Sequence, residues 1–329
     1  MPAARLFTNS QQSRTIRRQI LSWYHANRRD LPWRRTRNPY RIWVSEIMLQ
    51  QTRVAAVLEH YRKFLKRFPT VRDLASASEA DVLAAWSGLG YYRRARMLHR
   101  AAKQLVADHD GRVPKTSVEL QQLPGIGRYT GNAIASIAFG QPVAVVDGNV
   151  ERVLNRMMES EVSGQRLWAA AQELLDPRNP GDFNQAMMEL GATICTPAAP
   201  LCKSCPIGNY CASESRAIQN VRRREVRQQR TALLLLRRRG SMILLHRRSG
   251  RESLMPAMWE LPQLKAAPEA VATMKVRHSV TTTDWTVEVF ESGDPEHRTS
   301  LRWTPMAQLG TLPLTGLTRK ILRKLKLLA

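Results

Sequence analysis

The sequence predicts a mostly α-helical region over about the first two thirds of the chain, followed by a small α+β domain. From about residue 12 to residue 215, apolar residues recur at helical spacing. Prolines and glycines such as Pro69, Gly111 and Pro142 separate the segments, as expected between helices. The composition changes after Cys211, which indicates a boundary between the two parts.

The C-terminal part carries strand signals. Apolar runs at 231–236 and 242–246 flank Arg239-Gly240-Ser241, which predicts a β-hairpin. Trp285, Val287 and Val289 alternate with polar residues and predict another strand. Residues 317–328 predict a closing basic helix.

The charge balance concerns the partner of the protein. Lys and Arg total 51 against 27 Asp and Glu, a formal net charge of +24. Nucleic acid is the obvious polyanion, and an anionic membrane surface is the alternative. The first twenty residues lack the apolar segment of a signal peptide, and no run is long enough to span a bilayer. We therefore expect a soluble protein in a reducing compartment.

All four cysteines of the chain lie within seventeen residues, at Cys195, Cys202, Cys205 and Cys211. Their C-x6-C-x2-C-x5-C spacing contains one closely spaced pair, Cys202 and Cys205, whereas structural zinc sites usually combine two closely spaced ligand pairs. The wide loop favours a 4Fe-4S cluster held by four thiolates, with zinc as the alternative. Two disulfides are a third arrangement, but a chain of this length has ample core without them.

A Gly-rich turn lies in the segment LPGIGRYTGN at 123–132. Gly125 and Gly127 let backbone N–H groups converge at the start of the next helix, which suits a phosphate oxygen. An ordinary turn between helices is the alternative. The high positive charge and the cysteine cluster further along the chain favour a helix-hairpin-helix that anchors DNA.

Two carboxylates stand out for chemistry. Glu46 lies on a predicted helix with Ile42, Trp43 and Leu49 as its neighbours, so its pKa should rise toward neutrality, as a general acid requires. The alternative is a boundary glutamate paired with an arginine. Asp147 or Asn149 could be only the N-cap of the helix that follows, although an Asp can cap a helix and still present its second oxygen to a cleft.

Several motifs between about residue 21 and residue 211 repeat the pattern of one family. They are LPWR at 31–34, WVSEIMLQQTRV at 43–54, GLGYYRRAR at 88–96, LPGIGRYTGNAI at 123–134, VDGNVERVL at 146–154, FNQAMMELGATIC at 183–195 and the cysteine spacing. Together they resemble the MutY-type adenine DNA glycosylases, within the helix-hairpin-helix, iron–sulfur superfamily that includes endonuclease III. The resemblance implies hydrolysis of the N-glycosidic bond of adenine mispaired with 8-oxoguanine or guanine, in base excision repair.

The resemblance also implies roles for individual residues. Glu46 matches the general acid, Asp147 the carboxylate that stabilises the sugar cation, and Tyr129 and Asn149 line the same site. The remaining matches concern the flipped adenine and the duplex: Trp33, Arg34, Leu49 and Gln185 around the base, Gln51 and Tyr91 in the duplex near the lesion, and Arg152 between the Asp147 helix and the cluster loop. Bifunctional relatives carry a lysine where this chain has Tyr129, so the resemblance implies a monofunctional enzyme.

The resemblance implies a domain plan as well. A six-helix domain with the helix-hairpin-helix is expected at 33–146, and a 4Fe-4S domain at 9–32 and 147–217. A linker is expected at 218–230 and a Nudix-like lesion-recognition domain at 231–329. The expected partner is double-stranded DNA with 8-oxoguanine:adenine or guanine:adenine mispairs, bound by a cytoplasmic, nucleoid-associated monomer that has no membrane partner.

The C-terminal domain departs from the family pattern. The acidic cluster of a Nudix box is missing, so nucleotide hydrolysis is not expected. The family's Phe-Ser-His loop is replaced by Val280-Thr281-Thr282, in which only Thr281 offers a hydroxyl where the serine would be. We therefore expect weaker discrimination between 8-oxoguanine and guanine.

Two other functions are weighed against adenine excision. One is a glycosylase for another mispaired base, such as thymine opposite guanine. The other is a DNA-binding iron–sulfur protein without catalysis, which would be expected to have lost Glu46 or Asp147, and both are present.

Overall fold

The structure is a computed structural model of the 329-residue chain. It describes residues 10–158, 163–212, 227–252, 254–280, 282–296 and 299–328. The chain divides into two compact units, one formed by 1–54 and 101–222 and the other by 55–100 and 223–329. Most of the predicted linker at 218–230 and the predicted lesion-loop residue Thr281 lie outside the described residues.

The described residues contain α-helices along the first two thirds of the chain and one more near the C-terminus. These are α1 Ser10–Asn27, α2 Pro39–Leu49, α3 Val54–Arg67, α4 Val71–Ser76, α5 Glu79–Trp86, α6 Tyr92–His109, α7 Ser117–Leu120, α8 Arg128–Phe139, α9 Gly148–Met158, α10 Gly164–Leu174, α11 Pro180–Thr193 and α12 Gly316–Lys324. No helix of the described part is long and apolar enough to cross a membrane.

A core of apolar side chains holds the first unit together. Helices α1, α9, α10 and α11 contribute buried residues such as Ile20, Leu154, Leu174 and Phe183. Ile207 from the cysteine loop is buried in the same core. This core therefore joins the helix that follows Asp147 to the segment that carries the cysteines.

The Gly-rich turn does join two helices, as predicted. The Ile126 N–H donates to the Leu123 carbonyl, and Gly125 has a φ of +78°, which favours glycine. Gly127 is the N-cap of α8. Helix α7, the turn and α8 thus form the helix-hairpin-helix.

The second unit contains two small sheets. Its strands are β1 Gln228–Leu235, β2 Arg238–Arg239, β3 Met242–Arg247, β4 Trp259–Glu260, β5 Met274–Val280, β6 Thr283–Phe290 and β7 Leu301–Pro305. One sheet has the order β1-β6-β5, and in the other β3 pairs with β2, β4 and β7. The two-part fold class, helical and then α+β, is confirmed.

The predicted hairpin between 231–236 and 242–246 is wrong in its first strand. Only the two-residue β2 pairs with β3 across Gly240, whereas β1 pairs in parallel with β6 in the other sheet. The Leu236 N–H still donates to the Phe290 carbonyl at the end of β6, and β2 of the other sheet begins at Arg238. Strand β1 also begins at Gln228, within the stretch assigned to the linker, because it pairs there with Thr283.

Candidate active site and cysteine loop

Glu46 is a buried carboxyl group in the first unit. The Asn38 side chain caps α2 by accepting from the Arg41 N–H, and Pro39 occupies the first turn. The helix places Glu46 with only 5% of its surface exposed, and Tyr129 Oη donates a 2.8 Å hydrogen bond to Glu46 Oε2. The alternative of a boundary glutamate paired with an arginine such as Arg41 or Arg53 does not describe this buried side chain.

Burial raises the pKa of Glu46 to about 7. The hydrogen bond from Tyr129 acts in the opposite direction, because it stabilises the carboxylate. The negative charge of Asp147 raises the pKa further, and the positive charge of Arg34 lowers it. The rise of the pKa confirms the expected direction of the shift, and a carboxyl group with a pKa of about 7 suits a proton donor.

Asp147 is both the cap of α9 and a residue of the same cleft as Glu46. Its Oδ1 accepts from the N–H groups of Asn149 and Val150, at 2.9 and 2.8 Å. Its Oδ2 accepts from Asn149 Nδ2 at 2.8 Å. These donors hold the carboxylate in one orientation.

Asn149 is itself fixed by its neighbours. Arg152 Nη2 donates to Asn149 Oδ1 at 2.8 Å and to the Gly191 carbonyl at 2.7 Å. Gly191 of α11 packs so closely that an added Cβ would lie 2.6 Å from the Cβ of Asn149. The orientation of Asp147 therefore depends on the packing of α9 against α11.

A second buried carboxylate, Glu189, binds two arginines at the edge of the cleft. Its oxygens accept from the backbone N–H, Nε and Nη2 of Arg29, at 3.0, 2.8 and 2.6 Å. Arg34 Nη2 donates to Glu189 Oε2 at 2.7 Å. Burial alone would raise the pKa of Glu189, but the hydrogen bonds from Arg29 and Arg34 outweigh it and lower the pKa to about 2. Glu189 is thus a fixed anion that orients both guanidinium groups.

These groups line one cleft of about 610 Å³ in the first unit. Nine residues predicted from the sequence lie on its walls: Trp33, Arg34, Glu46, Leu49, Gln51, Tyr129, Asp147, Asn149 and Gln185. A second cavity of about 330 Å³ shares Arg34 and Gln185 with it.

Other predicted residues lie elsewhere. Gly125 and Gly127 are in the helix-hairpin-helix turn, and Tyr91 belongs to the second unit. Gln51 and Tyr91, both expected to enter the duplex, have positive φ values of 55° and 48°. Such backbone strain is typical of functional positions.

Sequence reasoning assigned no role to Glu189, Arg29 and Arg156. Glu189 lies one helical turn after Gln185, so the two share a face of α11, and this spacing was the available signal. The partners of Glu189 come from a segment 155 to 160 residues away, which no local pattern predicts.

The four cysteines are free thiols on one loop after α11. Burial, and then the nearby Cys195, Cys211 and Cys202, raise the pKa of the Cys205 thiol to about 11. Arg156 Nη1 donates to Cys195 Sγ at 3.2 Å. Four thiols and a guanidinium that can offset thiolate charge fit an iron–sulfur cluster by their chemistry. Among the described residues, no set of three or more His, Cys, Asp or Glu side chains is arranged as a site for a metal ion.

Helix α9 connects this loop to the cleft. Arg152 Nε donates to the Cys195 carbonyl at 2.7 Å, while its Nη2 reaches Asn149. One turn further along, Arg156 also donates to the Thr196 and Pro197 carbonyls. The helix that presents Asp147 is thereby tied to the cysteine loop by two arginines.

Comparison with known proteins identifies the superfamily of the chain. Residues 44–175 match the family model described as HhH-GPD superfamily base excision DNA repair protein. A solved thermostable thymine-DNA glycosylase is 32% identical, with a TM-score of 0.58 over 62% of this chain and 96% of the other. The chain belongs to the HhH-GPD superfamily. An endonuclease III in a non-covalent DNA complex is 25% identical, with a TM-score of 0.55 over 62% of this chain and 96% of the other.

Curated relatives narrow the resemblance within the superfamily. The adenine DNA glycosylase of Homo sapiens is 50% identical over 229 residues, which cover 65% of this chain and 42% of that protein. The adenine DNA glycosylase of Arabidopsis thaliana is 42% identical over 64% of this chain and 39% of that protein. The expected resemblance to adenine DNA glycosylases is confirmed, and the chain spans about half the length of the curated relatives it matches.

Proposed function

We propose that the protein is a monofunctional adenine DNA glycosylase that hydrolyses the N-glycosidic bond of adenine opposite 8-oxoguanine or guanine. The observation that supports this most strongly is one cleft lined by a carboxyl group with a pKa of about 7 and by a fixed carboxylate. Its relatives named adenine DNA glycosylase support the choice of base.

Glu46 acts as the general acid. Adenine leaves poorly as an anion, so a proton on a ring nitrogen makes it a neutral leaving group. A buried carboxyl group that keeps its proton near pH 7 can supply it, whereas an exposed glutamate would be ionised. The Tyr129 hydroxyl, 2.8 Å from Glu46 Oε2, orients the acid and then stabilises the carboxylate left after transfer.

Asp147 stabilises the positive charge that the sugar develops as the base departs. The α9 amides and Asn149 fix its position, so little reorganisation is needed when the cation forms. A donor and an anion in one cleft follow the two-carboxylate logic of glycoside hydrolysis, in which water completes the reaction.

The base pocket would be formed by Trp33, Leu49, Gln185 and the guanidinium of Arg34. Adenine must leave the helical stack to enter a cleft of this kind. Glu189 keeps Arg34 in place, with 9% of the arginine side chain exposed. The pocket thus offers an apolar wall for the ring and fixed polar groups for its edges.

Strand cleavage through a covalent intermediate is not part of this function. A Schiff base requires an amine, and the corresponding position holds a tyrosine whose pKa is raised well above its ordinary value by burial and by Glu46. Borohydride trapping should therefore give no adduct at the level of a lyase.

Double-stranded DNA is the proposed partner. The net charge of +24 favours a polyanion. Gly125 and Gly127 are exposed in the turn before α8, and backbone N–H groups at a helix N-terminus suit a phosphate. The chain is proposed to act as a monomer in the compartment that holds the DNA. The Nudix-like character of the C-terminal domain and the domain limits stay predictions.

We also propose that Cys195, Cys202, Cys205 and Cys211 hold one 4Fe-4S cluster with a structural role. When bound, such a group would fold the loop by fixing four thiolates. Hydrolysis moves no electrons, so no redox step is required. Purified protein should contain about four irons per chain and show the broad visible absorption of the cluster. One zinc per chain, with no visible absorption, would contradict this assignment.

A single-turnover excision assay on four duplexes tests the function: 8-oxoguanine:A, G:A, G:T and 8-oxoguanine:C. Adenine release from the first two, and nothing from the others, is expected. The ratio between 8-oxoguanine:A and G:A should be small, because Val280 and Thr282 replace the aromatic and imidazole side chains of the family. Release of thymine from G:T would favour the alternative suggested by the thymine-DNA glycosylase of similar fold.

A further inference from the structure

The loop 88–91 of the second unit ends in an exposed aromatic side chain on a strained backbone. Tyr91 has a φ of +48°, and 51% of its surface is exposed. A bulky residue in the left-handed region costs energy, and Gly88 and Gly90 in the same loop also have positive φ values. Such a conformation persists only where neighbouring groups hold it.

Arg94 in the first turn of α6 contacts the loop and holds its strained backbone. Its guanidinium carbon lies 5.2 Å from the ring centroid of Tyr91 and 5.7 Å from that of Trp86. Arg94 Nη2 also lies 3.4 Å from the carbonyls of Leu89 and Gly90. The guanidinium therefore contacts both the ring and the backbone of the loop.

Trp86 also binds the backbone of this loop. Its Nε1 donates to the Gly90 carbonyl at 3.2 Å, so that carbonyl is contacted by Trp86 and Arg94 together. Burial lowers the pKa of Arg94 to about 10, which still leaves the guanidinium charged at neutral pH. A partly buried cation close to two aromatic rings interacts more strongly with them than an exposed one.

The two ends of the loop are fixed by one carbonyl of the C-terminal part of the second unit. Ser87 Oγ and Tyr92 Oη both donate to the Leu314 carbonyl, at 2.9 and 3.2 Å. Arg319 Nε donates to Ser87 Oγ at 2.8 Å. The loop is thus bracketed, and within it Tyr91 carries the exposed side chain.

We infer that Arg94 is a positioning residue that holds Tyr91 as a rigid aromatic wedge for insertion into the DNA duplex. The inference rests on the proposed function for its DNA substrate. Insertion of a side chain unstacks bases and costs several favourable contacts. A wedge already fixed in its inserting conformation avoids an additional ordering cost on binding.

The test separates insertion from base excision. A duplex carries 2-aminopurine beside the 8-oxoguanine:A pair, and its fluorescence rises when the protein unstacks it. The protein carries Glu46→Gln so that the DNA stays intact. In this background Arg94→Met should reduce the fluorescence rise about threefold at saturating protein. Arg94→Lys should give a rise between that of Arg94→Met and that of the protein with Arg94 intact. Arg93→Met, an exposed neighbour with the same change of charge, is the control and should keep the full rise.

A double-mutant cycle with Tyr91 distinguishes positioning from a general loss of structure. With Glu46 intact, Arg94→Met should slow single-turnover excision about fivefold, but by less than twofold when Tyr91→Ala is already present. An equal loss in both backgrounds, or an unchanged fluorescence rise, would overturn the inference. Failure of the wild type to release adenine would refute the proposed function, while the fluorescence series would still decide the role of Arg94.

Discussion

The buried carboxylates of the cleft in the first unit differ from an exposed ion pair at the surface of the second unit. Glu46 and Glu189 are buried, and each is held by partners far along the chain. In the second unit, Arg238 and Glu291 form an ion pair at 3.3 Å while about half of each side chain is exposed. Buried charge is costly to maintain, so its presence in the cleft indicates a chemical role. Exposed pairs need no such explanation.

The largest expected effect comes from removing the fixed anion of the cleft. Asp147→Asn keeps an oxygen to cap α9 but loses the negative charge that we propose stabilises the sugar cation. Excision should slow by about 10³-fold or more in a single-turnover assay, with little change in the free energy of unfolding. Asp176→Asn is the matched control, because Asp176 also accepts from two backbone N–H groups, of Arg178 and Asn179. If both variants excised adenine at the wild-type rate, Asp147 would be only a cap.

A smaller effect is expected where α11 packs against α9. Gly191→Ala would place a Cβ 2.6 Å from the Cβ of Asn149, so the two helices must move apart. We expect about 1–3 kcal/mol lower free energy of unfolding and excision slowed about tenfold through displacement of Asp147. Gly316→Ala at the start of α12 has no atom within 4 Å of the new Cβ and should leave both quantities near wild type. Unchanged excision in Gly191→Ala would show that this packing does not position the carboxylate.

The next effect concerns the pH dependence of the rate. Tyr129→Phe removes the hydrogen bond that stabilises the Glu46 carboxylate, so the pKa of Glu46 should rise above about 7. Because the protonated carboxyl is the proposed active form, the fall in rate at high pH should shift to higher pH in the variant. Single-turnover rates from about pH 5 to about pH 9 would measure the shift. A shift to lower pH would mean that the hydroxyl does not stabilise the carboxylate.

The smallest effect is expected in the second unit. Arg238→Gln breaks an exposed ion pair and should change the free energy of unfolding by less than about 0.5 kcal/mol. Arg29→Gln in the first unit leaves Glu189 buried with fewer donors and should cost about 2 kcal/mol. Urea denaturation of both variants gives the comparison. Equal losses would remove the contrast between the two regions.

The sequence predicted the cleft better than the C-terminal sheets for a physical reason. Glu46 and Asp147 could be found from local spacing, because the apolar neighbours of Glu46 along α2 predict its burial and the position of Asp147 before α9 predicts a cap. The Gly-rich turn was equally local. By contrast, the parallel pairing of β1 with β6 joins residues more than fifty positions apart, and nothing near β1 encodes it.

Long-range partners also explain what was missed inside the cleft. Glu189 lies in a motif that was recognised, yet its ion pairs are with Arg29 and Arg34, which precede it by 160 and 155 residues in the chain. Arg156 likewise meets the cysteine loop only after folding. Residues of this kind are visible only when distant segments are brought together.

The proton donated by Glu46 is the central claim, and it can be tested directly. Single-turnover release of adenine from an 8-oxoguanine:A duplex should fall as pH rises through about 7 in the wild type. Glu46→Gln should release almost no adenine at any pH while still binding the duplex. A wild-type rate in Glu46→Gln, or a rate that rises with pH through the same range, would contradict the account.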